Sequence, residues 1–450
     1  MKDQNRENKP AIVAATPQQV GEARDPWWWV ERSVWTERML TRLTTGESAE
    51  RVWFRLADKT YAPANLASAF GKVWANGGSA GADAQTVAHF GRHAQEELLR
   101  WHEQVRDGTY RPQPVRRAWI PKPGSPEKRP LGIPAVRDRV VQAALRHVLE
   151  PIFETDFAEQ SYGFRPGRGA KDALRRVDRL LKTGHDWVVD ADLKSYFDTI
   201  PHDRLLALVK DRVADGRVVA LVEGFLRAGV LEEHKGWQPT ERGTPQGGVI
   251  SPLLANLYLN PFDHQMARAG WELVRYADDF VILCRSEAEA QAALEQMRQW
   301  VTEAGLTLHP DKTRIVNAAQ PGGFDFLGYH FERGMKWPRA KSLQKLKDRL
   351  REKTARLEGD SLKTIITEVN RTLQGWYGYF QHSKGNVFPT VDGFLRRRLR
   401  SLLAKRQGHT RQGLGQAQRR WSNQWFAKHG LLSLAEAHAF TRTIVSLRTH

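Results

Sequence analysis

Apolar residues recur at helical spacing through residues 84–107, where Phe90, Leu98, Leu99, Trp101 and Val105 supply the apolar positions and Asp107-Gly108 marks the turn that ends the run. Between 111 and 134 that spacing is lost. Pro112, Pro114, Pro121, Pro123, Pro126, Pro130 and Pro134 exclude a long helix and predict two extended strands joined at Pro123-Gly124-Ser125. Helical spacing returns over 137–153 through Val140, Val141, Ala144, Leu145, Val148 and Leu149. Residues 187–193 predict a strand that ends in acid. A helical stretch over 202–228, a polar loop over 233–241 and a helix over 249–266 follow. Residues 272–275 and 280–284 are two short strands, with Tyr276-Ala277-Asp278-Asp279 at their turn. Ser286, Glu287 and Glu289 mark the start of a helix over 286–304. Short strands then run to Tyr329, and beyond about 340 the chain is helical. This order predicts an α+β fold with a helical C-terminal part, not a doubly wound sheet.

The ends of the chain differ in character. Residues 1–24 are polar and expected to be poorly ordered. Trp27-Trp28-Trp29, followed by Trp35, cannot share one helical stripe, so some of them are expected to pack on a neighbouring layer rather than on a ligand. The formal net charge of +18 is uneven: residues 331–450 hold 25 Lys+Arg against 8 Asp+Glu, a net of +17. Such a field suits a polyanion, since neutralising phosphates releases counterions. In the segment around Arg396, Arg397, Arg398, Arg400, Lys405 and Arg406, the apolar residues Phe394, Leu395, Leu399, Leu402 and Leu403 form a core face and leave the basic residues opposite. Hydrophobic residues at 40% and charged residues at 27% belong to a folded chain, and no uncharged apolar run is long enough for a membrane span. The single cysteine, Cys284, excludes an intrachain disulfide framework and fits a reducing, cytoplasmic setting.

Asp278 and Asp279 are adjacent acids between hydrophobic strands. Buried there, they would be costly unless paired or metal-bound. A third carboxylate at the end of a neighbouring strand would complete a site for two Mg²⁺ ions, with Mn²⁺ as a substitute. Asp192 is one candidate. Asp190 lies two residues back on the same strand face, and spacing does not choose between them.

The block Arg275-Tyr276-Ala277-Asp278-Asp279-Phe280 resembles the central motif of reverse transcriptases. Further blocks resemble, in order, the reverse transcriptase/maturase proteins of bacterial group II introns. They are Arg129-Pro130-Leu131-Gly132-Ile133-Pro134, Tyr162-Gly163-Phe164-Arg165-Pro166-Gly167-Arg168, Asp192-Leu193-Lys194-Ser195-Tyr196-Phe197-Asp198 and Gly243-Thr244-Pro245-Gln246-Gly247-Gly248. Then come Ser251-Pro252-Leu253-Leu254-Ala255-Asn256, His309-Pro310-Asp311-Lys312-Thr313, Phe326-Leu327-Gly328-Tyr329 and Gly375-Trp376-Tyr377-Gly378-Tyr379-Phe380. Together they cover roughly residues 85–435.

The resemblance implies a right-hand polymerase fold: an N-terminal extension over 1–84, fingers and palm over 85–335, a helical thumb and maturase region over 336–435, and a tail over 436–450. It implies an RNA-directed DNA polymerase that binds intron RNA, promotes its splicing and supports retromobility. Asp192, Asp278 and Asp279 become the metal ligands. Phe197 matches the ring beneath the incoming sugar that collides with a 2′-hydroxyl; read alone, it is a core phenylalanine. Lys122, Arg129, Gln246 and Lys312 face the deoxynucleoside triphosphate. Tyr276, Gly247, Gly248, Phe326, Leu327 and Gly328 face primer or template, and the six basic residues from Arg396 to Arg406 face RNA. Trp376, Tyr377, Trp421, Trp425 and Phe426 are expected to pack rather than stack on bases. Many relatives continue into an endonuclease with clustered histidine and cysteine; a chain with one cysteine is expected to be of the shorter class and to take its primer from target DNA elsewhere. Two other functions compete: a domesticated reverse transcriptase with no splicing role, and a non-catalytic RNA-binding splicing factor.

Overall fold

The structure is a computed structural model that describes residues 25–44, 52–121, 128–355, 359–408 and 414–448. It divides into two compact units, Ala23–Asn317 and Ala318–His450. The first unit contains β1 (Val115–Pro121), β2 (Lys128–Ile133), β3 (Trp187–Asp192), β4 (Val230–Glu232), β5 (Gly236–Gln238), β6 (Glu272–Tyr276), β7 (Asp279–Cys284) and β8 (Arg314–Asn317). At its centre lies an antiparallel sheet in the order β6-β7-β3-β8. Phe280 to Cys284 are all buried along β7. Successive strand residues point to opposite faces, so this sheet is covered on both. Helix Glu287–Glu303 packs on β3 and β7, and helix Ala170–Lys182 on β6 and β7.

The second sheet has the order β2-β1-β4-β5. Its β1–β2 hairpin is the proline-rich basic segment, and the turn expected at 123–125 lies outside the described residues, as does Lys122. The polar loop expected over 233–241 instead contains β5, which pairs with β4. Alternation was too short there to register as a strand. Two expected long helices are each broken. Residues 84–107 form Val87–Arg92 and Ala94–Arg106, and Leu99 is 60% exposed because the buried face runs through Trp101 and Val105. Residues 202–228 form His202–Lys210 and Gly216–Arg227. Asp215 caps the second by accepting from the Arg217 and Val218 N–H groups.

Of the N-terminal tryptophans, Trp27 and Trp29 pack against the core while Trp28 is 48% exposed. Trp35 is fully buried, donates from its indole to the His147 carbonyl (2.9 Å) and meets Trp53 edge-on. Asp215 also accepts from the Leu56 and Ala57 N–H groups, at 2.7 and 2.9 Å.

In the second unit, β9 (Phe324–Phe326), β10 (Tyr329–Glu332) and β11 (Met335–Pro338) form a three-stranded antiparallel sheet. Helices Ala340–Lys353, Leu362–Phe380 and Val387–Arg406 enclose a core that includes Leu350, Val369, Leu373, Tyr377, Leu395 and Leu399. The fold is thus mixed α/β with a helical C-terminal region, as the order of elements predicted. Among the described residues no helix is long and apolar enough to cross a membrane.

Candidate active site

Antiparallel pairing of β3 with β7 sets Asp192 opposite Asp279, while Asp190 stands opposite Val281. The register thus puts Asp192, and not Asp190, beside an acid of the turn hairpin. Asp190 accepts from the Arg314 guanidinium at 3.3 Å on β8, and Asp192 accepts from the Lys312 ammonium at 2.5 Å. Asp278 lies in the two-residue turn Ala277-Asp278 between β6 and β7. Burial holds its carboxyl above the usual carboxylate range. The negative charge of Asp192 adds to this, while Asp278's own backbone N–H, Arg129 and Arg275 oppose it. Asp278 is thus within electrostatic reach of Asp192 and of the exposed Arg129 of β2.

The donors are carboxylate oxygens, the type a hard divalent cation takes. Among the described residues, however, no three His, Cys, Asp or Glu side chains are gathered closely enough to hold a metal ion. Asp192 is engaged by Lys312, so a cation there has to displace the ammonium. In donor type the carboxylates fit Mg²⁺; as a gathered set they do not stand ready.

Beneath the turn lies a polar hub that the sequence reading missed. Arg275 and Asp263 are both fully buried. Arg275 donates through Nε to Asp263 (2.7 Å), through one terminal nitrogen to Asn256 Oδ1 (3.0 Å) and the Ala277 carbonyl (2.8 Å), and through the other to Ser161 Oγ (2.8 Å) and again to Asp263. Burial keeps Asp263 above its usual range even with Arg275 beside it. Ala277 has φ +60°, the left-handed region that a tight hairpin turn demands and a Cβ disfavours. A fixed donor on its carbonyl holds that conformation. The available signal was Asp263, the one acid on helix Ser251–Arg268.

Phe197 is half-buried in the single turn Tyr196–Thr199, its ring edge-on to Tyr196 at 5.6 Å. It also borders a cavity of about 590 Å³ with Arg117, Trp119, Pro130, Asp198 and Arg242, so it is partly core and partly surface of a cleft. Gln246 is half-buried, and its carbonyl accepts from the Gly132 N–H at 2.7 Å. Gly247, at φ +115°, lies so close to the Gly132 carbonyl that a Cβ would overlap it, and a Cβ on Gly248 would meet Ser251 Oγ. Gly247 therefore serves a close approach between this turn and β2, while Gly248 lies against the start of helix Ser251–Arg268. Tyr276 is half-buried and pairs with Asp279 across the hairpin.

Phe326, Leu327 and Gly328 belong to the second unit. Phe326 is buried, Leu327 and Gly328 have φ of +46° and +84°, and the Leu327 carbonyl accepts from the Tyr379 hydroxyl at 2.7 Å. The basic face expected over 396–406 is narrower than its composition. Arg398 donates to Thr354 Oγ1 (3.0 Å) and to the Arg351 and Thr354 carbonyls, closing the end of helix Ala340–Lys353. Arg400 donates to the Trp421 carbonyl (2.8 Å) and to Asn423, and Arg396 is half-buried 3.8 Å from Asp392. Arg397, Lys405 and Arg406 are exposed. Tyr377, Trp421 and Phe426 are buried, and Trp376 and Trp425 are packed against the same core, which is the packing role expected of them.

Residues 120–331 match the family described as reverse transcriptase (RNA-dependent DNA polymerase), and residues 343–422 match the group II intron, maturase-specific domain. Protein YkfC of Escherichia coli (strain K12) is 37% identical over 277 residues, which are 53% of this chain and 71% of YkfC. The group II intron-encoded protein LtrA of Lactococcus lactis subsp. cremoris is 33% identical over 303 residues, 52% of this chain and 50% of LtrA, so the chain spans about half of that relative's length. Among solved structures, a partial Cas6-RT-Cas1--Cas2 complex is similar over 55% of this chain and 41% of that one, at 24% identity and a TM-score of 0.37. That likeness is too loose to carry an argument. The domain matches and the relatives agree with the motif order and the α+β architecture: the chain belongs to the group II intron-encoded family, as a reverse transcriptase joined to a maturase-specific domain.

Proposed function

We propose that the chain extends a primer with deoxynucleoside triphosphates on an RNA template by phosphoryl transfer assisted by two divalent ions, and that it binds intron RNA to promote splicing and retromobility. One observation carries the polymerase reading: Asp192 stands opposite Asp279 on adjacent strands, with Asp278 at the turn inside the field of Asp192. Magnesium, when bound, supplies charge stabilisation at the attacking and leaving oxygens. The protein's own residues do the positioning. Asp192, Asp278 and Asp279 present oxygen ligands, and Lys312, paired with Asp192 until an ion displaces it, then faces the triphosphate. Arg129 faces the same turn and neutralises the triphosphate. Phe197 occupies the floor beneath the sugar, where its ring excludes a 2′-hydroxyl. The contact of the Gln246 carbonyl with Gly132 holds that turn against the fingers hairpin, with Gln246 facing nucleotide and template.

In this reading residues 85–335 are fingers and palm and the chain from 336 is thumb and maturase; the tail expected from 436 instead belongs to helix Leu434–Arg448, whose Leu434 and Ala437 are buried in the same core. The exposed Arg397, Lys405 and Arg406 contact RNA phosphates, which gives affinity without reading sequence. The test is Asp278→Asn with Asp279→Asn, assayed by primer extension on an RNA template beside filter binding of the same RNA. DNA synthesis is expected to vanish while RNA binding is largely kept. Undiminished synthesis by the double variant would overturn the assignment.

A further inference from the structure

Phe164 combines two costs that a folded protein normally avoids. Its backbone has φ +57°, where a bulky L-residue is strained. Its side chain gains little from burial in return, since the residue is 46% exposed. A ring held in that conformation on the surface has to be explained by what it faces. Its neighbour is Tyr276, 6.4 Å away between ring centroids and next to the turn that carries Asp278. The mount is stiff. The Tyr162 N–H donates to the Arg275 carbonyl (2.9 Å), and Asn256 donates to the Gly163 carbonyl (2.8 Å). Gly163 is pressed so closely on the backbone of Tyr276 and Ala277 that a Cβ would collide with it. The hub that fixes Ala277 thus also fixes Phe164, through Asn256 and Ser161.

We propose that Phe164 is a strand-positioning residue whose ring bears on the end of the primer–template duplex, beside the reacting primer terminus. This rests on the polymerase reading, because the carboxylates of the neighbouring turn can act only on a strand end brought to them. With Tyr276 the ring makes an apolar step on which sugar and base surfaces lie, a contact indifferent to sequence because every nucleotide offers such a surface. Its mounting on the segment that carries the acids fixes the distance between duplex end and ligands. The nucleoside triphosphate enters opposite Arg129 and is not expected to sense the ring.

The test compares Phe164→Gly, Phe164→Asn and Phe164→Tyr with the parent. Glycine and asparagine accept a left-handed backbone, so both variants are expected to melt no lower than the parent. Binding of a DNA-primer/RNA-template duplex, read by fluorescence anisotropy, is expected to weaken about tenfold in both, the order that one aromatic contact to a base contributes. KM for the deoxynucleoside triphosphate should stay unchanged, and Phe164→Tyr should bind duplex within about twofold of the parent, since the ring remains. Parent-like duplex binding by the glycine and asparagine variants overturns the proposal. So does a loss that follows the folded fraction and that tyrosine does not restore. If the parent binds duplex through Phe164 yet copies no RNA, the polymerase reading fails and the strand contact stands. If the parent copies RNA and the ring makes no difference, the contact fails and the polymerase reading stands.

Discussion

Replacing Arg275 by methionine tests the hub under the catalytic turn. The substitution keeps an unbranched side chain of similar length but removes every donor. Asp263 is then left as a carboxylate with no cation, at a site where both partners are fully buried. Breaking a buried ion pair by removing one partner costs about 3–5 kcal/mol. The Asn256, Ser161 and Ala277 oxygens also lose a donor, and each buried acceptor left unsatisfied costs about 1–3 kcal/mol before relaxation and rehydration. The ion pair alone, at roughly 3–5 kcal/mol, is a large share of the ~5–15 kcal/mol that holds a domain together, and the lost acceptor bonds add to it. Urea denaturation should show a lowered midpoint with an unchanged slope. The deficit should depend on pH with a definite sign. Burial already raises Asp263 in the folded protein, and losing Arg275 raises it further. A group whose folded pKa lies above its unfolded value favours folding at low pH and loses that contribution as pH rises through the folded value. The variant's deficit is therefore smallest in mild acid and grows toward neutrality. Adding Asp263→Leu removes the orphaned charge and should recover most of the stability. It does not restore the donor on the Ala277 carbonyl, so primer extension should remain impaired. A single variant that loses less than about 1 kcal/mol, or a double variant with full extension activity, would refute the reasoning.

Other outcomes can be stated more briefly. Phe197→Val should raise ribonucleotide incorporation on an RNA template relative to deoxynucleotide incorporation, and an unchanged ratio would remove the steric role. Arg129→Ala should raise KM for the triphosphate by about tenfold with little change in duplex binding, and Arg129→Lys should restore only part of it, because an ammonium lacks the guanidinium's planar fork. Arg397→Ala with Lys405→Ala should weaken RNA binding and make its salt dependence shallower, by about 0.7–0.9 in log–log slope for each phosphate no longer neutralised. Arg398→Ala should instead lower thermal stability, by about 1–2 kcal/mol, because its guanidinium is spent on the end of helix Ala340–Lys353.

Some of this was legible in the residues alone. The β6–β7 hairpin shows in two apolar runs separated by turn residues, and the β1–β2 hairpin in prolines that no helix tolerates. The helix Glu287–Glu303 announces its start at Ser286, whose hydroxyl accepts from the Glu289 N–H at 3.2 Å. Other features were hidden because they depend on partners distant in the chain. β5 is three residues long and owes its existence to β4. Leu99 belongs to an apolar pattern that the neighbouring layer does not cover. Arg398 and Arg400 look like free cations until the carbonyls they satisfy come beside them.

By itself, then, the sequence determined the local elements, the order of the motifs and the supply of carboxylates and cations, because propensity, periodicity and composition act over a few residues. Tertiary structure alone set Asp192, which the motif resemblance names, opposite Asp279, gave Gly247 and Gly248 a neighbour inside the protein and set Arg275 beneath the turn. These are matters of register and close approach between segments up to about a hundred residues apart, and no spacing along one strand encodes which residue of another will stand opposite it.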